Sequence, residues 1–80
     1  MGPAAQKRAI DRAELARVCL EELRLWPGCE SVVSVGVLSA PSECFVLRVI
    51  DYGAATARRA DQAIRAIERL KSREYRLKAE

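Results

Sequence analysis

The chain has no histidine at all, and that single absence removes most familiar chemistry. Histidine is the commonest general base and the usual partner of a serine or cysteine nucleophile. Aromatics are scarce as well, with only Trp26, Phe45, Tyr52 and Tyr75. Such a core must be built from aliphatic side chains and alanine, and base-stacking platforms for single-stranded nucleic acid are not to be expected. No apolar run approaches the ~20 residues that a membrane span needs. The opening MGPAAQKRAI lacks the apolar stretch of a secretory signal. Three cysteines (Cys19, Cys29, Cys44) are an odd number without a C-x-x-C pair. They suit reduced, buried thiols in a cytoplasmic protein better than a disulfide framework. Three thiols without a fourth ligand also make a poor zinc site. No G-x-S-x-G, Walker A or H-E-x-x-H pattern occurs. The expectation is a protein with no enzyme activity, no catalytic residue, no metal, no cofactor and no small-molecule substrate.

What remains is a chain of 80 residues, half of them hydrophobic, which makes one small domain. Residues 1–10 read as a flexible N-terminal tail, and residues 11–80 as a single α+β domain. IDRAEL carries two helix-start devices. Asp11 is a potential N-cap with Glu14 placed for a capping box, and Ile10 and Leu15 are spaced as a hydrophobic staple. A first helix is expected from Arg12 to about Leu25, ended by Pro27 and Gly28. Ala13, Ala16, Cys19, Leu20 and Leu23 share its apolar side.

SVVSVGVLSAPSECFVLRVIDYG then reads as a β-hairpin, with strands at 31–38 and 44–51. Alternation sets Val33, Val35 and Val37 with Phe45, Leu47 and Val49 towards the core. The opposite face carries Val32, Leu38, Val46 and Ile50, too apolar for a freely solvated surface. A two-stranded sheet is marginal alone and leaves both edges open. Self-association to a homodimer answers both problems, with Val32, Leu38, Val46 and Ile50 at the interface. The final segment, from about Ala54 to at least Arg73, is the strongest helix signal, with Ala60, Ala63, Ile64, Ile67 and Leu70 as its stripe. Residues 74–78 fit a helical continuation or a short third strand, and helix is favoured. The expected architecture is helix–β-hairpin–helix, with both helices on one face of a small antiparallel sheet.

Charge is concentrated in this last helix. Residues 52–80 hold eight Lys or Arg against four acids, a larger surplus than the net +3 of the whole chain. Arg58, Gln62, Arg65, Arg69, Arg73 and Arg76 fall within about 80° when residues step by ~100°. Arg65–Arg69 and Arg69–Arg73 repel at i, i+4, with Asp61 expected to pair with Arg65 and Glu68 to flank the row. Arg58, Arg65, Arg69, Arg73 and Arg76 are therefore candidates to bind nucleic acid or an acidic protein, the alternative being a merely solvated basic face. The phosphate-loop possibility at DYGAATARRADQAI is weak, because one glycine and no Lys-Ser or Lys-Thr pair make no cradle. Gly53 reads as a turn, with Asp51 or Thr56 as cap.

Helix, hairpin and basic helix, with Arg58 and Arg59 opening TARRADQAIRAIERL, is similar in element order to the double-stranded-RNA-binding domain. That family's last helix sets basic residues on phosphates. This chain has room for two central strands rather than that family's three, and lacks its glycine-and-lysine pattern, so no family is assigned. Two functions follow as expectations. One is a non-enzymatic protein-interaction module that self-associates through its sheet; the other is duplex or structured RNA or DNA binding through the arginine stripe.

Overall fold

A computed structural model describes residues 7–78. The elements run β1 (Arg8–Ile10), α1 (Arg12–Leu23), β2 (Ser34–Ala40), a short 3-10 turn at Pro41–Glu43, β3 (Cys44–Asp51), α2 (Ala57–Glu74) and β4 (Tyr75–Leu77). The fold is α+β, but its order is β-α-β-β-α-β rather than the expected helix–hairpin–helix. β2 and β3 form the antiparallel hairpin, and β1 pairs with β4 in parallel. Of the tail expected over residues 1–10, residues 1–6 lie outside the described residues, and Arg8–Ile10 is a strand.

The local signals explain most of these elements. Asp11 caps α1, its Oδ1 accepting from the Glu14 amide at 2.8 Å, while the Glu14 carboxylate turns to Arg17 instead of closing a capping box. Leu15, Cys19 and Leu23 are buried one turn apart, and Ala13 of the expected stripe is exposed. The helix stops two residues sooner than expected. Leu25 and Trp26 donate to the carbonyls of Glu22 and Leu23 in tightened turns, and Leu25 stands in solvent. In α2, Ala60, Ala63, Ile64 and Ile67 are buried at helical spacing, and Leu70 is exposed.

Tyr75–Leu77 is strand where helix was favoured, and Leu70 supplies the reason. Leu77 follows Leu70 by seven residues, so a continued helix would have set it on the same exposed side. The chain instead turns extended at Tyr75, which buries Leu77 beside Ile10. The Lys78 amide donates to the Ile10 carbonyl at 2.9 Å. Ile10, read as one half of a staple, is thus also the buried residue of a strand.

The hairpin has one irregularity. Ser34 faces Asp51 but Val35 faces Val49, so Ile50 is an extra residue bulged into β3. Val32 and Val33 lie before β2, where Val32 is held in a turn on the Cys29 carbonyl and strand alternation no longer sets the facing. Val33, expected in the core, is half exposed, and Val32, expected on the outer face, is completely buried. Val35, Val37, Phe45, Leu47 and Val49 face the helices as expected. Past the bulge, Gly53 adopts φ +59°, and a Cβ there would lie 2.0 Å from the Ser31 carbonyl oxygen. Only glycine fits both that backbone and that approach. The Asp51 carboxylate accepts from the Gly53 amide at 3.0 Å, so Asp51 serves the turn. Thr56 holds the N-cap position of α2 without a side-chain cap bond.

The core lies between the helices and the inner face of the hairpin, with α1 against β2 and α2 against β3. Its 0%-exposed members include Cys19 and Cys29, so two of the three thiols act as small hydrophobes. Burial pushes the Cys19 thiol up to about 11. Lys71, although basic, is largely buried. Its Nζ joins Glu22 of α1 at 2.8 Å and Glu74 at 3.3 Å, and the bond to Glu22 raises its pKa. It ties the helices together and contributes little to the basic surface.

Candidate functional site

Two surfaces stand out, and both are built on β3. The first is the outer face of the hairpin. Leu38 and Val46 sit directly opposite each other, and Ile50 lies over Gly36, where a Cβ would come 2.9 Å from Ile50 Cδ1. With Val33 they form an apolar strip whose exposures are 50% (Val33), 48% (Leu38), 42% (Val46) and 63% (Ile50). Neither helix covers this face. Of the four residues expected there, Leu38, Val46 and Ile50 are exposed on this face, while Val32, before the start of β2, is buried and Val33 is exposed instead. Cys44, the one exposed thiol, continues the strip towards the hairpin turn.

The two edges of the hairpin are closed differently. Val37 and Leu47 are opposite each other, and Leu47 donates its amide not to Val37 but to Glu68 Oε1 of α2 at 2.8 Å. That makes them a non-hydrogen-bonded pair whose backbone groups point away from the ladder. On the other edge, Arg12 at the start of α1 donates to the Val37 carbonyl at 3.0 Å and to Ser39 Oγ at 2.7 Å. Each helix thus extends a charged side chain onto the free edge beside it, a common way to blunt a strand edge.

The second surface is a groove of about 550 Å³ between β3 and α2. Arg48 enters it from β3 and Arg65 and Arg69 from α2, over a floor that includes Val49 and Ile64. Two acids also line it, and both are turned to the sheet. Asp61 does not pair with Arg65 as expected but accepts from the Tyr52 hydroxyl at 2.6 Å, a bond that raises the phenol's pKa. Glu68 is held by the Leu47 amide. Among the described residues, no ion pair or hydrogen bond occupies Arg48, Arg58, Arg65, Arg69 or Arg73.

Arg58, Arg65, Arg69 and Arg73 form an exposed ridge along α2. Arg76 does not extend it. It lies on β4, and its Nη1 meets Glu43 Oε1 at 3.5 Å across the hairpin turn. Arg59, beside Arg58, runs its side chain across Gly28, where a Cβ would come 2.6 Å from Arg59 Cδ. Arg48 is the residue that sequence reasoning did not assign to the basic site. Its outward parity in β3 was visible, but its convergence with α2 is a tertiary fact.

Among the described residues, no group of potential ligands is arranged to hold a metal ion, and no helix is long and apolar enough to cross a membrane. Compared with family models, curated proteins and solved structures, the chain matches none.

Proposed function

We propose that this protein is a non-enzymatic interaction module that forms a homodimer by stacking the open faces of its hairpins. The observation that carries this reading is the exposed apolar set of Leu38, Val46 and Ile50 on a sheet face that neither helix covers, with Val33 exposed just before β2 and Arg48 standing opposite Gly36 between Val46 and Ile50. Face-to-face stacking is favoured over edge pairing because Arg12 and Glu68 already bond the outward backbone groups of Val37 and Leu47. Three unpaired thiols, one of them exposed at the rim of the strip, suit a reducing compartment such as the cytoplasm.

The size of the face sets the strength. At ~3.3 Å per residue and ~4.8 Å between strands, the hairpin presents roughly 250 Å². A standard stable interface covers about 800 Å² per partner, so the dimer should be weak, with a Kd on the order of 10–100 μM.

Sedimentation equilibrium between 10 μM and 1 mM, concentrations about the expected Kd, tests the reading. The wild type should shift from monomer to dimer, and Leu38→Glu should remain monomeric with its melting temperature preserved, because Leu38 is half exposed. A wild type that stays monomeric throughout overturns the proposal.

A further inference from the structure

We propose that the groove between β3 and α2 binds the phosphate backbone of duplex nucleic acid, with Arg48, Arg65 and Arg69 in direct contact and Arg58 and Arg73 extending the contact along α2. Three guanidinium groups from two elements converge there, and none has an ion pair or hydrogen bond among the described residues. In a surface optimised only for stability, Asp61 and Glu68, four residues before and three after it, would neutralise Arg65. Here the sheet engages both acids, through the Tyr52 hydroxyl and the Leu47 amide. The arrangement leaves the arginine forks directed outwards for bidentate anion contacts.

The ridge also has the right scale. Arg58 to Arg73 spans roughly 22 Å at 1.5 Å rise per residue, and successive arginines at i, i+4 stand ~6 Å apart. A duplex strand carries one phosphate per ~3.4 Å of axis, so about six phosphates pass along that length. The favoured ligand is nucleic acid rather than an acidic protein for a further reason. Along the ridge, Arg58, Gln62, Arg65, Arg69 and Arg73 offer no large apolar anchor of the kind protein interfaces need, and the groove's apolar floor of Val49 and Ile64 is buried; backbone contact needs no such anchor. Duplex is favoured over single strand because Tyr52 is the one aromatic among the described residues lining the groove, and a single ring makes no platform for successive bases.

The proposal does not depend on self-association, and the test keeps the two apart. Fluorescence anisotropy with a labelled 20-base-pair RNA or DNA duplex, roughly three times the length of the ridge so that end effects are small, should show binding at low salt. The three direct contacts alone give a log–log salt slope of about −2.7, so affinity should fall at least roughly 40-fold between 50 and 200 mM salt, and further if Arg58 and Arg73 also engage. The combined variant Arg48→Gln, Arg65→Gln, Arg69→Gln should lose at least tenfold in affinity and most of that slope, with its melting temperature preserved. Tyr52→Phe should also weaken binding, because it frees Asp61 to reach Arg65. Arg76→Gln, which removes a cation paired with Glu43, should bind as wild type, as should Leu38→Asn, which disrupts the apolar strip without adding a charge beside Arg48. Absence of binding at 50 mM salt overturns the proposal, as does binding unmoved by the triple substitution. Equal competition by polyglutamate, or tighter binding of a single strand, overturns the assignment to duplex nucleic acid.

Discussion

Glu68 stands where stability and the candidate site meet, and two substitutions separate its roles. Its Oε1 accepts from the amide of Leu47, a buried residue on the free edge of β3, at 2.8 Å. Glu68→Ala removes the acceptor and leaves that amide to whatever water can reach it. A hydrogen bond to a charged group contributes about 1.5–3 kcal/mol when buried, and the open groove reduces this to roughly 1–1.5 kcal/mol. Alanine is the better helix former, which offsets a few tenths of a kcal/mol. The net loss is therefore about 1 kcal/mol, which in a domain of this size lowers Tm by roughly 4–8 °C. Glu68→Gln keeps a carbonyl oxygen at the same place and should melt within about 2 °C of wild type. Thermal denaturation followed by circular dichroism at pH 7 gives the comparison. Amide exchange by NMR should show Leu47 exchanging faster in the alanine variant and at the native rate in the glutamine variant. If the two variants melt together, or if Leu47 exchanges equally in both, the edge bond has no part in stability and the reasoning fails.

Two further perturbations probe the frame. Gly53→Ala should cost at least about 2 kcal/mol, because it combines a left-handed backbone with a contact against the Ser31 carbonyl. Gly36→Ala meets only the flexible end of Ile50 and should cost far less; equal melting temperatures for the two would refute this account. In the native state Cys44 alone should react with a thiol reagent, with Cys19 and Cys29 reacting only in denaturant. The folded-state pKa of Cys19 is raised, so the stability it contributes is complete below about pH 9. It is lost as pH rises towards about 11, up to about 2–3 kcal/mol in all. Lys71 and Tyr52 are shifted in the same direction and add to the alkaline loss. In urea melts across pH 9–11, Cys19→Ala should start less stable but lose less; an unchanged slope would count against a buried thiol.

Much of the frame was legible because its causes are local. Asp11 announces the start of α1, alternation announces the hairpin, and the alanine–isoleucine stripe announces α2. The misreadings share a different cause. β2 starts at Ser34 rather than at 31, because Val32 is still tied in a turn to Cys29, so alternation read through Val32 and Val33 places both on the wrong side. β1 and β4 are each three residues long, too short to show a period, and each makes sense only beside the other. At the candidate site, the ridge was visible as helical spacing. The engagement of Asp61 by Tyr52 and of Glu68 by Leu47 was not, because both bonds cross from helix to strand.

The parallel pairing of β1 with β4 has a consequence for the way this chain comes to be folded. Ile10 and Leu77 complete one end of the core only when they meet, although nearly the whole sequence separates them. During synthesis at ~5–20 residues per second, Ile10 must wait several seconds for its partner. The hairpin and both helices can form in that interval, but the last apolar end stays open until the final strand arrives. Such a contact carries the largest loop-closure cost in the molecule and should be the last made and the first to open. Fluorophores placed just outside the two strands would come together in one late step, reporting completion of the fold rather than its beginning.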